Sequence, residues 1–408
     1  MDRREFLKLA LTAAALSPLA RLSADDSEPA PDISLPGKVT RRKFKDDLTL
    51  PLIGFGTMRF PMTKNGPDQP AIQQLVDLAM ESGCNYFDTA YVYKNGNCEI
   101  GLREALKKYP RESYMIADKM PGWKVKNADD MERVFNESLN RCGVKYFDFY
   151  LMHSMSAASW AHAKKIGMYE FLAKKKAEGK IRNLGFSFHD KPDLLKEILA
   201  TYTFDFAQIQ LNVLDWKMQR ADELYDILEF RHIPVIVMEP LRGGALGKLN
   251  PKAVEILKKE YPKATPASFA LRWIAELPNV VCILSGLGEM AHAQENFKTF
   301  TPFVPLKNME KITLLKAVNL YCQDLILCTG CEYCMPCPAE IDIPRNFAAY
   351  NQMKIYNKYA FRWAYNEIPK DSRAENCVSC KKCISKCPQH LDIPRLLTMV
   401  TSEVKKIK

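Results

Sequence analysis

The chain has 408 residues, of which 47% are hydrophobic and 26% charged, with 58 Lys and Arg against 48 Asp and Glu for a net charge of +10. The excess cations form no stripe with interleaved aromatics, which argues against nucleic acid as a partner, and the mild basicity favours an acidic one. Of the thirteen cysteines, the five outside the two C-terminal runs show no disulfide spacing, which argues against a disulfide framework.

The N-terminus reads Asp2-Arg3-Arg4-Glu5-Phe6-Leu7-Lys8 and continues as an Ala- and Leu-rich stretch to Ala20. Adjacent arginines, Phe-Leu-Lys and a short apolar segment resemble a twin-arginine export signal over residues 1–24. The apolar segment is too short for a stable membrane span. Cleavage after Ala24 would remove four cations and two anions and leave +8. No cysteine follows, so nothing suggests a lipid anchor. The expected location is the periplasm, with the twin-arginine export machinery as a transient partner. Residues 25–44 read as a linker, rich in Pro, Asp and Ser.

Residues 45–305 alternate short apolar runs with helical periods. The predicted strands are 52–57, 85–89, 114–119, 147–153, 181–188, 206–211, 234–240 and 280–285. Helical spacing places Ile72, Leu75, Val76, Ala79 and Met80 on one face, and Met131, Val134, Phe135, Ser138, Leu139 and Cys142 on another. Eight strands alternating with helices predict an α/β fold, a (β/α)8 TIM barrel. The competing fold is a doubly wound open sheet, but no Gly-x-Gly-x-x-Gly follows the first strand.

In such a barrel the site lies at the C-terminal strand ends. These carry Asp88, Lys119 and His153, with Tyr93 five residues after Asp88. Asp88-Thr89-Ala90-x-x-Tyr93, Ala117-Asp118-Lys119, Tyr150-Leu151-Met152-His153 and the opening Ile53-Gly54-Phe55-Gly56-Thr57-Met58 resemble the aldo/keto reductase family, in the family's order along the chain. The resemblance implies an oxidoreductase interconverting a carbonyl and an alcohol, with a sugar among the candidate substrates. Tyr93 would be the general acid or base, Lys119 would lower the pKa of its phenol, Asp88 would hold Lys119 charged, and His153 would orient the carbonyl.

The same resemblance implies an NAD(P) site on strands five to eight, with Ser187 and Gln208 on the carboxamide and Met238, Arg242, Ser285, Gly286, Glu295 and Asn296 along the rest of the cofactor. Three departures from the family pattern stand out. Phe188 and His189 follow Ser187, Met238 replaces the aromatic that stacks on nicotinamide, and His292 stands where an arginine meets a 2′-phosphate. The run Arg242-Gly243-Gly244-Ala245-Leu246-Gly247-Lys248 could lie along a pyrophosphate or form a plain turn.

Residues 306–408 predict a small helical ferredoxin-like domain. Cys328-x-x-Cys331-x-x-Cys334-x-x-Cys337-Pro is followed by Cys377-x-x-Cys380-x-x-Cys383-x-x-x-Cys387-Pro, and the second run has bacterial ferredoxin spacing. In that spacing the fourth cysteine reaches the other cluster. Cys328, Cys331, Cys334 and Cys387 would therefore hold one 4Fe-4S cluster, and Cys377, Cys380, Cys383 and Cys337 a second. The first run has two residues rather than three before its last cysteine, which leaves the place of Cys337 open. Zinc sites usually pair two separated Cys-x-x-Cys hooks and fit two Cys-Pro-terminated runs poorly. Residues 337–345 and 387–395 form an internal repeat. The other five cysteines, Cys84, Cys98, Cys142, Cys282 and Cys322, read mostly as buried small apolar residues.

These features predict an exported oxidoreductase whose clusters exchange electrons with a protein partner. Clusters move single electrons and a hydride carries two, so a bound NAD(P) or a flavin would have to mediate. The alternatives are a conventional NAD(P)H-dependent reductase with structural clusters and a non-catalytic electron carrier. The intact tetrad argues against the carrier, and the lack of a free nicotinamide pool outside the cytoplasm argues against the conventional reductase. Replacing Arg3 and Arg4 together with lysine is expected to leave folded, cluster-bearing protein inside the cell. Fractionation checks this, and normal periplasmic levels of the double variant would refute the signal.

Overall fold

Eight parallel strands pair in chain order and close on themselves in the computed structural model, which describes residues 37–321, 325–355 and 357–407. Residues 1–24, which the sequence reads as an export signal, and Cys322 lie outside these residues. The strands are β1 (Ile53–Gly56), β2 (Tyr86–Asp88), β3 (Met115–Pro121), β4 (Phe147–Met155), β5 (Ile181–Phe188), β6 (Phe206–Gln210), β7 (Val235–Met238) and β8 (Val280–Gly286). This is the (β/α)8 barrel the sequence predicts, with β3 and β4 each running two residues past the expected end. Helix Gln69–Glu81 starts where Asp68 accepts from Ala71 N and buries Ile72, Leu75, Val76 and Ala79. Helix Ala128–Cys142 starts where Asn127 accepts from Asp130 N and buries all six residues of its predicted face. Among the described residues no helix is long and apolar enough to cross a membrane.

Side chains on a strand alternate between faces, so inward positions recur every second residue. Tyr86, Ala117, Leu151, Phe206, Ile236 and Leu284 join Met115, Phe149 and Cys282 in an apolar plug. Phe44 and Leu50 close the plug from a hairpin of Arg41–Lys45 and Leu48–Pro51, with Phe44 edge-on to Phe149 at 5.2 Å between centroids. The barrel unit therefore begins inside the stretch read as linker. Val39 and Thr40 are buried, and Thr40 N donates to Phe300 O. The Pro- and Asp-rich composition stops short of Arg41, after which Arg42 and Phe44 face inward while Lys43 and Lys45 face water. Arg42 donates to the carbonyls of Ala275, Leu277 and Val280, supplying donors at the end of helix Pro266–Ala275.

The chain divides into two compact units. Among the described residues, one comprises 37–240 and 271–306 and contains the barrel strands; the other comprises 241–270 and 307–407. The cysteine-bearing unit thus includes a stretch read as barrel. In this unit helix Pro251–Glu260 packs on helix Asn308–Tyr321. Helices Ile343–Ile355, Lys358–Asn366 and Ile393–Ile407 enclose a core that includes Phe347, Tyr350, Phe361, Tyr365, Leu397 and Val400. The sequence repeat is also a repeat of hydrogen bonds. Glu340 N donates to Cys337 O at 3.0 Å and His390 N to Cys387 O at 3.1 Å; then Ile343 N donates to Ile341 O and Ile393 N to Leu391 O.

Gly185 tests the tightness of the plug. A Cβ there would lie 2.6 Å from the Phe206 ring and 2.7 Å from its backbone oxygen. Gly185→Ala is expected to lose about 1–3 kcal/mol through overpacking, measured as a fall in the denaturant midpoint of the barrel.

Candidate active site and cluster sites

One step above the plug, five of the next six inward positions are polar. Two residues beyond Tyr86, Ala117, Leu151, Gly185, Phe206 and Ile236 stand Asp88, Lys119, His153, Ser187, Gln208 and Met238. The register aligns them around the barrel, with Asp88 beside Ala117, Lys119 beside Leu151, Pro121 beside His153 and Gln208 beside Ser187. Lys119 is 1% exposed; its Nζ donates to Asp88 Oδ1 and to Thr89 O, each at 2.5 Å. Tyr93 arrives from the loop after β2, on a turn closed by Tyr93 N to Ala90 O, with Lys94 and Asn95 in the left-handed region. Its ring lies 4.9 Å from Lys119 Nζ and 6.1 Å, edge-on, from the His153 ring. All four residues of the predicted tetrad therefore converge. Trp123, which sequence reasoning missed, adds a half-exposed ring 5.1 Å from His153. Its signal was an aromatic two residues past the end of β3.

Burial dominates the electrostatics. It pushes the Asp88 carboxyl up, and the adjacent Lys119 ammonium pulls it back only in part. Burial pushes the His153 imidazole well below its usual range, helped by Lys119, so His153 is neutral at pH 7. The Tyr93 phenol departs from expectation. Burial raises its pKa well above the ordinary value and Asp88 adds to the rise. Lys119 faces the Tyr93 ring while donating to Asp88 and Thr89, and this arrangement does not offset the desolvation. Tyr93 in this state is a protonated acid.

The proposed nicotinamide residues divide between the two units. Ser187 and Gln208 are adjacent across β5 and β6 and both are buried; Met238 follows on β7 beside Gln210. Gln208 Oε1 is buried with no hydrogen-bond partner among the described residues, and Ser187 Oγ accepts from Ser154 N at 2.7 Å. Ser285 points away from the lumen and accepts from Asn296 Nδ2 at 2.9 Å, on the helix that also carries Glu295. Gly286 packs under the Arg59 side chain. Arg242 lies in the cysteine-bearing unit, donating to Leu327 O and to Gln389 Oε1.

The eight run cysteines gather in two groups of four, each crossing between the runs. One cavity is lined by Cys328, Cys331, Cys334 and Cys387, the other by Cys337, Cys377, Cys380 and Cys383, and Cys334 lines this one as well. Cys337 thus takes the place left open in the sequence. Left-handed residues Gly330, Glu332, Ser379 and Lys381 curl the loops between ligands. Burial pushes the Cys328 and Cys334 thiols up to about 12. Metal binding must displace those protons. Four thiols converging on one cavity, twice, are the donor set that a pair of iron–sulfur cubanes requires. The described cysteines outside the runs, Cys84, Cys98, Cys142 and Cys282, are all buried.

Residues 52–317 match the aldo/keto reductase family. The chain belongs to this family. It is an oxidoreductase, and residues 327–391 match the 4Fe-4S dicluster domain. The NADH-specific methylglyoxal reductase of Escherichia coli (strain K12) is 26% identical over 298 residues, covering 61% of this chain and 90% of that protein. Probable aldo-keto reductase 1 of Glycine max is 25% identical, covering 64% and 84%. Among solved structures, the holo form of aldo-keto reductase AKR11C1 from Bacillus halodurans superposes with a TM-score of 0.58 at 22% identity, over 68% of this chain and 95% of that one. An aldo-keto reductase from Klebsiella pneumoniae in complex with NADPH gives 0.56 at 22% identity, over 70% and 95%. The structural likenesses show the barrel fold.

Protein purified without oxygen is expected to hold about eight irons and eight acid-labile sulfides per chain. Zinc at one or two per chain, with no visible absorbance, would refute the cluster sites.

Proposed function

We propose that this chain is an exported oxidoreductase that interconverts a small carbonyl compound and its alcohol and exchanges electrons, through its clusters, with a protein partner. The observation that carries the chemistry is the polar layer above the plug, where a protonated Tyr93, a neutral His153 and the Lys119–Asp88 pair surround one space at the strand ends. A sugar falls within the proposed substrate class. The partner rests on the cluster domain and the chain's positive charge, and export rests on the N-terminal motif.

The roles follow from the geometry. The neutral His153 ring can donate one N–H to a carbonyl oxygen and so orient it; a charged imidazolium would be costly to bury there. Tyr93 then gives its hydroxyl proton to that oxygen as the carbon is reduced. A phenolate develops next to the Lys119 ammonium, which needs no reorganisation because Asp88 and the Thr89 carbonyl already hold it. In the oxidative direction Tyr93 takes the proton back. Trp123 supplies an apolar wall beside His153.

The orphaned Gln208 Oε1 and the neighbouring Ser187 fit the carboxamide of a nicotinamide, which when bound would supply or accept the hydride. NADH in the name of the E. coli relative and NADPH in the Klebsiella structure support the same class of cofactor. The crossed cysteine sets would hold clusters that exchange single electrons.

Tyr93→Phe keeps the ring and removes only the transferable proton. It is expected to lose roughly 10²–10⁴ in turnover with an unchanged unfolding midpoint, measured on the active compound from a screen of aldehydes, ketones, alcohols and sugars. Lys119→Met strands a buried carboxylate, at a cost of about 3–5 kcal/mol, so Asp88→Asn should accompany it. The Tyr93→Phe variant combined with that pair should be little slower than either alone. Unchanged turnover in Tyr93→Phe would remove Tyr93 from the chemistry.

A further inference from the structure

The segment Arg242-Gly243-Gly244 is occupied in a way that neither a barrel loop nor a pyrophosphate cradle requires. Arg242 is 3% exposed, and its guanidinium donates from Nη1 to Leu327 O and from Nη2 to Gln389 Oε1 at 2.9 Å. Leu327 immediately precedes Cys328, and Gln389 lies two residues past Cys387. The two acceptors therefore belong to the two separate segments that bring ligands to one cluster cavity. Thr329 and Gln389 line that cavity. A Cβ on Gly243 would collide with the carbonyl of Thr329, so the loop lies directly against the cluster-binding turn. Arg242, Gly243 and Gly244 all take left-handed backbone angles, at φ 50°, 66° and 91°. For a non-glycine residue that conformation is uncommon, and here it belongs to the residue whose side chain makes the contacts.

We propose that Arg242 clamps and tunes the cluster of Cys328, Cys331, Cys334 and Cys387: its rigid fork ties the two ligand-bearing segments together, and its buried charge makes that cluster easier to reduce. A cubane with four thiolates is anionic and becomes more so on taking an electron, so a fixed cation favours the reduced form. The charge acts with little screening because it is buried. The other cavity has cations of a different kind. Lys381, Lys382 and Lys386 line it but are exposed to water. Glu332 is the acidic residue lining the Arg242-side cavity and is likewise exposed. A planar guanidinium satisfies two acceptors at fixed separation, which a lysine ammonium does not reproduce.

This inference rests on the two-cluster reading, which the iron and sulfide content of the wild-type protein tests separately. The experiment is an EPR-monitored reductive titration of anaerobically purified full-length protein, with iron release to a chelator measured alongside, for wild type, Arg242→Gln and Arg242→Lys. Arg242→Gln is expected to shift one cluster's midpoint to lower potential, leave the other's in place, and release the iron of one cluster faster. Arg242→Lys is expected to hold the midpoint near wild type while still releasing iron faster. If Arg242→Gln loses one cluster during purification while Arg242→Lys retains both, the clamp is supported. Two unmoved midpoints and unchanged release in Arg242→Gln would overturn the proposal. So would equal shifts in both variants, or loss of both clusters from both.

Discussion

The buried ion pair between Lys119 and Asp88 ties the end of β2 to β3 and faces the Tyr93 ring. A charged lysine at that depth is tolerated only with a carboxylate and a carbonyl already in place, and here both come from the end of β2. That requirement fixes the register of β2 against β3 and the start of the loop that carries Tyr93. Burial sets the charge state of the neighbours, and each member of the pair reinforces it at one of them: desolvation keeps His153 neutral, helped by Lys119, and keeps Tyr93 protonated, helped by Asp88. Burial and the pair together thus yield an oriented donor and an available acid from residues on three elements.

The layer itself follows from the two-residue period of the strands. The apolar side chains that fill the barrel give way, one inward step later, to Asp88, Lys119, His153, Ser187 and Gln208. This made the fold and the tetrad legible in the sequence, because alternation and strand ends are local properties. The cysteine sets were legible for the same reason: their spacing is local, and the rule that a fourth cysteine crosses to the other cluster is general. Other features depended on tertiary surroundings. Proximity to an ammonium points to a lowered Tyr93 pKa, whereas desolvation, which depends on the folded surroundings, raises it. The start of the hairpin under the barrel reads as linker because Pro, Asp and Ser immediately upstream mask the alternation of Arg42 and Phe44. The run at Arg242 reads equally as a pyrophosphate cradle or a plain turn, because a glycine-rich run says nothing about which backbone comes close to it; only the packing of Thr329 on Gly243 shows that.

The cysteine-bearing unit solves a different problem by a similar economy. Its ligands come from two runs separated by about forty residues, and the crossing of Cys337 and Cys387 makes each site depend on both. Repeated hydrogen bonds at Cys337 and Cys387 start the two helices in equivalent ways, so one local design serves both sites. Into this near-symmetric arrangement the 241–270 segment introduces an asymmetry, with a buried arginine on one side and solvated lysines on the other. Two clusters taking one electron each also match the two electrons released when an alcohol becomes a carbonyl.

On the function proposed above, the barrel's chemistry and the clusters belong to one redox process. The most direct test is to mix anaerobically purified protein, with no added nicotinamide or reductant, with an alcohol found active in a substrate screen, and to follow carbonyl product and EPR signal together. Reduced-cluster signal is expected to appear as product forms, with Tyr93→Phe slowing both equally. Product formed at the wild-type rate while the clusters stay oxidised would contradict a single redox process.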